Sequence, residues 1–250
     1  VLACGRIVLA VSAEAARAAE AVVAAVHSTG ECLEVAIFDE RYPQEEETLL
    51  AAALLRREPP RGGTALDLGA AVISVSSLAA LHDAVVFARP CFERIVTVAG
   101  TALHAPGNLK VRVGTRAGEL VEEVGGLARR PTAVIFGGAM KGHAVPGEDA
   151  WQEIPVTRDV PAIVLLARGD LALGRQRQCV RCARCVDACP WGLVPVRLYE
   201  LAGSGALARA SAEGLGQCTG CGCCSYACPS RIPLAAGLDE ARDRSAGGAA

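Results

Sequence analysis

Apolar positions along this chain come in two kinds, short continuous blocks and longer helical stripes, and their alternation divides the sequence. GRIVLAVS, residues 5–12, reads as a buried strand. Ser12 then stands where a helix N-cap would. Glu14 falls in the turn after it, His27 near the end and Gly30 at the stop, so a helix is predicted through about residue 27. ECLEVAIF predicts a second strand, and residues 45–57 predict a second helix that REPPRGG breaks. DLGAAVISV and the helix-like SSLAALHDAVVFA follow. This β-α-β-α order implies an α/β layer.

From about Pro90 the pattern shortens. FERIVTVAG, NLKVRVG, PTAVIFGG and PAIVLLA are strand-length runs, separated by turn signals such as APGN and by one short helix, AGELVEEV. A small mixed sheet holding one helix fits that spacing. Residues 168–178 turn polar, as a linker would. A cysteine-rich region follows to about Arg244, and SAGGAA forms a tail.

The 250 residues leave room for one large domain or two to three small ones, and 52% hydrophobic content allows a sizeable core. Lys and Arg total 25 against 27 Asp and Glu, a net charge of −2, without the basic excess of a nucleic-acid surface. No stretch reaches 18 uncharged residues, so no transmembrane helix is expected. VLACG lacks the basic and apolar regions that precede a lipoprotein cleavage site. The chain starts on Val1 and its single methionine is Met140, which leads us to expect a fragment boundary or a non-standard start codon.

Cysteine changes the picture most. Nine of the twelve lie between Cys179 and Cys228. A disulfide framework would spread them through a short secreted chain; clustering without a signal peptide points to metal-bound thiolates in a reducing cytoplasm. QCVRCARCVDACPW supplies Cys179, Cys182, Cys185 and Cys189 before Pro190. QCTGCGCCSYACPS supplies Cys218, Cys221, Cys224 and Cys228 before Pro229, every position 39 later. Both obey C-x2-C-x2-C-x3-C-P, the spacing of two-cluster ferredoxins. The x2 gaps wrap the backbone around one cubane, so three thiolates reach three iron corners. The fourth opens a helix leading away, its turn fixed by the proline, and normally ligates the other cluster. The expected sets are therefore Cys179, Cys182, Cys185 with Cys228, and Cys218, Cys221, Cys224 with Cys189, each on a 4Fe–4S cluster. Cys223 is the spare. Structural zinc sites favour two separated cysteine pairs and fit this spacing poorly.

Arg175, Arg177, Arg181 and Arg184 surround the first run, while glycines and Arg231 flank the second. One cation at ~8 Å with an effective dielectric of ~20 is worth about 2 kcal/mol, roughly 90 mV for one electron before screening. The cluster held mainly by the first run is therefore expected to be the better acceptor. Cys4, Cys32 and Cys91 read as small core residues. His27, His82, His104 and His143 are scattered, and no Ser/His/Asp or Cys/His pairing suggests hydrolysis.

CTGCGCCSYACPSRIPL, together with YPQEEETLL, FERIVTVAG, PGN and FGGAMKG, resembles the C subunit of the Rnf electron-transport complex. The cobalamin reductase of propanediol utilisation shares its architecture. The resemblance spans nearly the whole chain. It implies a partial NADH- and flavin-binding α/β domain like that of the complex I flavoprotein over 1–90, and a β-grasp ligand-binding module of the SLBB kind over 91–168. A helical two-cluster 4Fe–4S ferredoxin domain over 169–244 and a tail over 245–250 complete it. FMN and NADH are the further cofactors implied. The partners implied are other subunits of a membrane complex and a ferredoxin-like protein, with the chain peripheral on the cytoplasmic side of the membrane.

The sequence departs from the family where a glycine pair after Tyr-Pro-Gln is Glu45-Glu46, and where an Asn falls at Ser74. The family's glycine-rich loop lies before the matched region, so the chain is expected to begin partway through that domain. Gly62, Gly63, Gly137 and Gly138 keep family glycines and read as turn positions. Alternative readings are a flavin-less electron adaptor and a corrin-reducing enzyme.

Overall fold

The computed structural model describes residues 5–27, 33–60, 62–145, 149–169 and 175–247. Cys4, Cys32, Gly30 and part of the expected linker lie outside them. The chain separates into two compact units, Val1–Val72 and Ile73–Ala250, a division that falls inside the 1–90 region.

In the first unit β1 (Val8–Ser12) leads through a 3-10 turn (Ala13–Ala15) into α1 (Ala16–His27), and β2 (Glu34–Phe38) returns parallel to β1, Val8 opposite Glu34 and Ser12 opposite Phe38. Ser12 ends the strand and its hydroxyl makes no cap bond, because the turn delays the helix. In α2 (Glu47–Leu55) the acidic start has a direct role: the Glu46 carboxylate accepts from Leu49 N–H at 2.9 Å, satisfying one of the donors orphaned at a helix start. DLGAAVISV forms no strand. Thr64 and Asp67 close a capping box on a 3-10 turn (Ala65–Leu68), and that turn uses the run's first apolar residues against Ala51.

The second unit opens with α3 (Val75–Phe87), where Ser74 accepts from Ser77 N–H at 3.1 Å. A five-stranded mixed sheet follows: β3 (Glu93–Ala99), β4 (Gly107–Arg112), β5 (Pro131–Phe136), β6 (His143–Val145) and β7 (Ala162–Ala167), in the order β4-β3-β7-β5-β6. Only β3–β7 is parallel among these pairs. Alternate residues of β3 and β7 (Val96, Val98, Ile163, Leu165) are fully buried against Leu120 and Val121 of α4 (Ala117–Glu123). Each such side chain contributes about 1.5–3 kcal/mol. Gly100, with φ +123°, ends β3 where a Cβ would sit 2.0 Å from the Leu165 carbonyl oxygen, so only glycine lets the chain pass.

The helical part contains α5 (Arg184–Asp187), α6 (Pro195–Gly203), α7 (Leu207–Ala212), α8 (Cys223–Ala227) and α9 (Leu234–Gly247). Leu198, Leu201, Leu215 and Leu238 form its core. No helix among the described residues is long and apolar enough to cross a membrane.

Candidate metal centre

The 39-residue offset of the cysteines extends to the backbone. Arg181 and Ala183 in the first loop have φ +53° and +61°; their counterparts Gly220 and Gly222 have +65° and +82°. Gly192 and Arg231, also 39 apart, are both left-handed. The helices repeat too, α6 starting at Pro195 and α9 at Leu234. Two left-handed residues inside each C-x2-C-x2-C reverse the chain twice, which wraps three cysteines around one space. Glycine adopts that conformation freely, whereas an L side chain costs about 1–2 kcal/mol. The wrap also turns amides towards sulfur. Arg181 N–H donates to Cys179 Sγ at 3.4 Å, and the Gly220 amide bonds Cys218 at the equivalent position.

Each loop supplies three cysteines to its own cavity and a fourth to the other. Cys179, Cys182, Cys185 and Cys228 line one, with Val196, Ile232 and Leu234. Cys189, Cys218, Cys221 and Cys224 line the other, with Trp191, Leu193 and Leu238. The crossing follows from the short helices: α5 and α8 carry the chain away from their own loops before Cys189-Pro190 and Cys228-Pro229. A clasp holds the halves together, Arg177 N–H donating to the Ser230 carbonyl at 2.8 Å and Ser230 Oγ to the Gln178 carbonyl at 2.9 Å.

Burial pushes the Cys224 thiol up to about 12 and raises Cys185 and Cys218. These thiols do not ionise unaided at neutral pH; a bound cation must displace their protons. Cys223 lines neither cavity. Burial and a hydrogen bond with Cys221 push it up to about 11, which keeps it a thiol. Among the described residues no three His, Cys, Asp or Glu side chains converge as a single metal ion requires. Cys91 is half-buried beside the Glu93 carbonyl, and His82, exposed, faces Asp83 at 3.5 Å.

The surroundings were not legible from spacing. Cys182 is exposed, whereas Cys221 and Cys224 are buried. Arg175, Arg177, Arg181 and Arg184 are all exposed, where screening weakens them. Arg242, which lies outside both cysteine motifs, donates from Nη1 to the Cys218 carbonyl and lies 3.5 Å from Asp239 Oδ1. Met140 packs on Gly222, where a Cβ would come within 3.0 Å of the Met140 carbonyl oxygen. Four buried side-chain polar atoms among the described residues lack a hydrogen-bond partner: Trp191 Nε1, Thr219 Oγ1, Asp239 Oδ1 and Arg94 Nε. Trp191 and Thr219 line the second cavity, and Asp239 lies against Gly220 in its wall. The two unsatisfied donors, the Thr219 hydroxyl and the Trp191 indole N–H, fit a sulfur-rich anionic guest, while the Asp239 carboxylate oxygen, an acceptor, lies near Arg242.

Fold and site define a protein with an α/β flavoprotein-type segment and a 4Fe–4S dicluster domain. Residues 1–83 match the Nuo51 FMN-binding domain family, and residues 178–232 match the 4Fe-4S dicluster domain family. The relatives are more particular. The chain is 35% identical over 161 residues to the C subunit of the proton-translocating ferredoxin:NAD(+) oxidoreductase complex of Clostridium ljungdahlii, covering 64% of this chain and 34% of the relative. It is 30% identical over 210 residues to the C subunit of the ion-translocating oxidoreductase complex of Rhodobacter capsulatus, covering 84% and 40%. The corresponding Yersinia pestis protein is 36% identical over 143 residues, 57% of this chain and 22% of the relative. The chain thus spans two fifths or less of the length of these curated relatives. The resemblance to the C subunit of the Rnf complex is shown by these matches.

Proposed function

We propose that this chain is the electron-relaying part of the C subunit of an Rnf-type complex. Cys179, Cys182, Cys185 and Cys228 hold one 4Fe–4S cluster, and Cys189, Cys218, Cys221 and Cys224 hold the other. The observation that carries this reading is the pair of four-thiol cavities, each completed by a cysteine from the opposite run. The crossing brings the clusters close together, and each takes and passes one electron at a time. The exposed rim at Cys182 supports exchange with a soluble partner at the first cluster, and buried Cys221 and Cys224 support an internal place for the second.

Residues 1–90 form the partial NADH/flavin-type domain in this reading, 91–168 a β-grasp module of the SLBB kind, 169–244 the ferredoxin domain and 245–250 the tail. The mixed sheet with α4 on one face supports the β-grasp assignment, and the Nuo51 match makes FMN the flavin to test. Electrons come from reduced nicotinamide through flavin, or from a ferredoxin, within a complex at the cytoplasmic side of the membrane.

The test is anaerobic reconstitution. About eight irons per chain, with a low-temperature paramagnetic signal on reduction, is the expected result. Zinc in place of iron, or four irons, overturns the ligand assignment. Added FMN and NADH should reduce the clusters; stoichiometric clusters without flavin uptake would leave the relay and remove the flavin.

A further inference from the structure

The two cavities have matching thiols but unequal hydrogen-bond donors. In the second, the Thr219 hydroxyl and the Trp191 indole N–H are buried without partners. Thirty-nine residues away, the counterpart of Thr219 is Val180, which has no donor. The counterpart of Trp191 is Ser230, whose hydroxyl is already given to the Gln178 carbonyl. A buried N–H or O–H left unpaired loses its bond to water without replacement, so both gain from an acceptor placed in the cavity. Resting on the cluster reading above, we infer that Thr219 and Trp191 donate hydrogen bonds to sulfurs of the second cluster and make it the higher-potential of the two.

Reduction adds one electron, and so one negative charge, to the cluster, with no proton moved. Hydrogen bonds to sulfur strengthen as that charge grows, which favours the reduced form. Nearby charges do not reverse the order. Asp239 opposes reduction and Arg242 favours it, and the two form an ion pair at 3.5 Å beside Cys218. Arg181, which lines the first cavity, and the other three arginines around that loop are exposed, so water competes for their N–H groups and screens their charge. Electrons arriving at the exposed first cluster then settle on the buried second one, the reverse of the order expected from charge alone. Thr219 and Trp191 act as potential-setting residues, not ligands.

The experiment is a redox titration of the reconstituted chain followed by low-temperature paramagnetic resonance. Thr219→Val, which keeps the shape, and Trp191→Phe should each lower the higher of the two midpoints, by about tenfold in the electron's distribution between clusters, ~59 mV. The lower midpoint should stay put. Thr219→Ser restores the hydroxyl and should restore the midpoint. Double-resonance spectra in D2O should lose one exchangeable-proton coupling in Thr219→Val and keep it in Thr219→Ser. Unmoved midpoints, a shift of the lower wave, or equal shifts of both overturn the inference while leaving the clusters in place. A wild-type chain with fewer than eight irons or without signals overturns the cluster reading instead. Should Trp191→Phe fail to load iron, the Val and Ser pair at Thr219 decides.

Discussion

The two cysteine loops carry the same spacing and the same pair of backbone reversals, yet meet different surroundings. The first uses Arg181 and Ala183 at its left-handed positions, has exposed Cys182 on its rim, and is ringed by exposed arginines. The second uses Gly220 and Gly222, has Cys221 and Cys224 buried, and is walled by Trp191, Thr219 and the Arg242–Asp239 pair, with Met140 against its backbone. A repeat of spacing therefore specifies what is held. Departures from the repeat set how far each site lies from solvent and, in the inference above, its potential.

Iron removal should give the largest effect. In the cluster reading the loops at 177–194 and 216–233 are held by their thiols on the metal, so stripping it should erase amide-exchange protection there. Protection should persist at Val96, Val98, Ile163 and Leu165, whose burial needs no metal. Equal loss in both regions would mean that the sheet depends on the helical part.

Next comes the crossing. Cys228→Ser should disturb the signal of the cluster held by the first loop, and Cys189→Ser that of the second, although each residue lies in the opposite run. If each variant instead damages the cluster of its own loop, the exchanged ligand sets are wrong. Exposure then sets an order of lability. Under air or mild chelation iron should leave in two phases, the lower-potential, exposed cluster first; a single phase removes the distinction.

The smallest effect is at the backbone reversals. Gly222→Ala forces an L side chain to φ +82° and pushes a Cβ to 3.0 Å from the Met140 carbonyl, which should cost about 1–2 kcal/mol and lower the melting temperature of the loaded chain by about 2–8 °C. Ala183→Gly, at φ +61°, relieves the same strain but frees the unfolded chain. It should change stability by less than about 1 kcal/mol. Equal responses at the two positions would mean that the loops are held alike.

Much of the architecture was legible because local patterns carried it. The strand run PAIVLLA and the short helical run AGELVEEV gave β7 and α4 nearly to the residue. Failures occurred where a local signal met a stronger neighbour. Ser12 had the chemistry of a cap, but a 3-10 turn came between it and α1. DLGAAVISV had the composition of a strand, but the Thr64–Asp67 box claimed its first turn and Ser74 its last cap.

At the candidate site, the sequence by itself determined the two thiol triplets, the glycines that let the second loop reverse and the prolines that follow each fourth cysteine. All of these depend on neighbours a few residues apart. Only the tertiary structure decided which thiols face water and which donors go unpaired. Those depend on residues far apart in the chain that packing brings together: Arg177 with Ser230 and Asp239 with Gly220 where α6 and α9 bury their shared leucine core, and Met140 with Gly222.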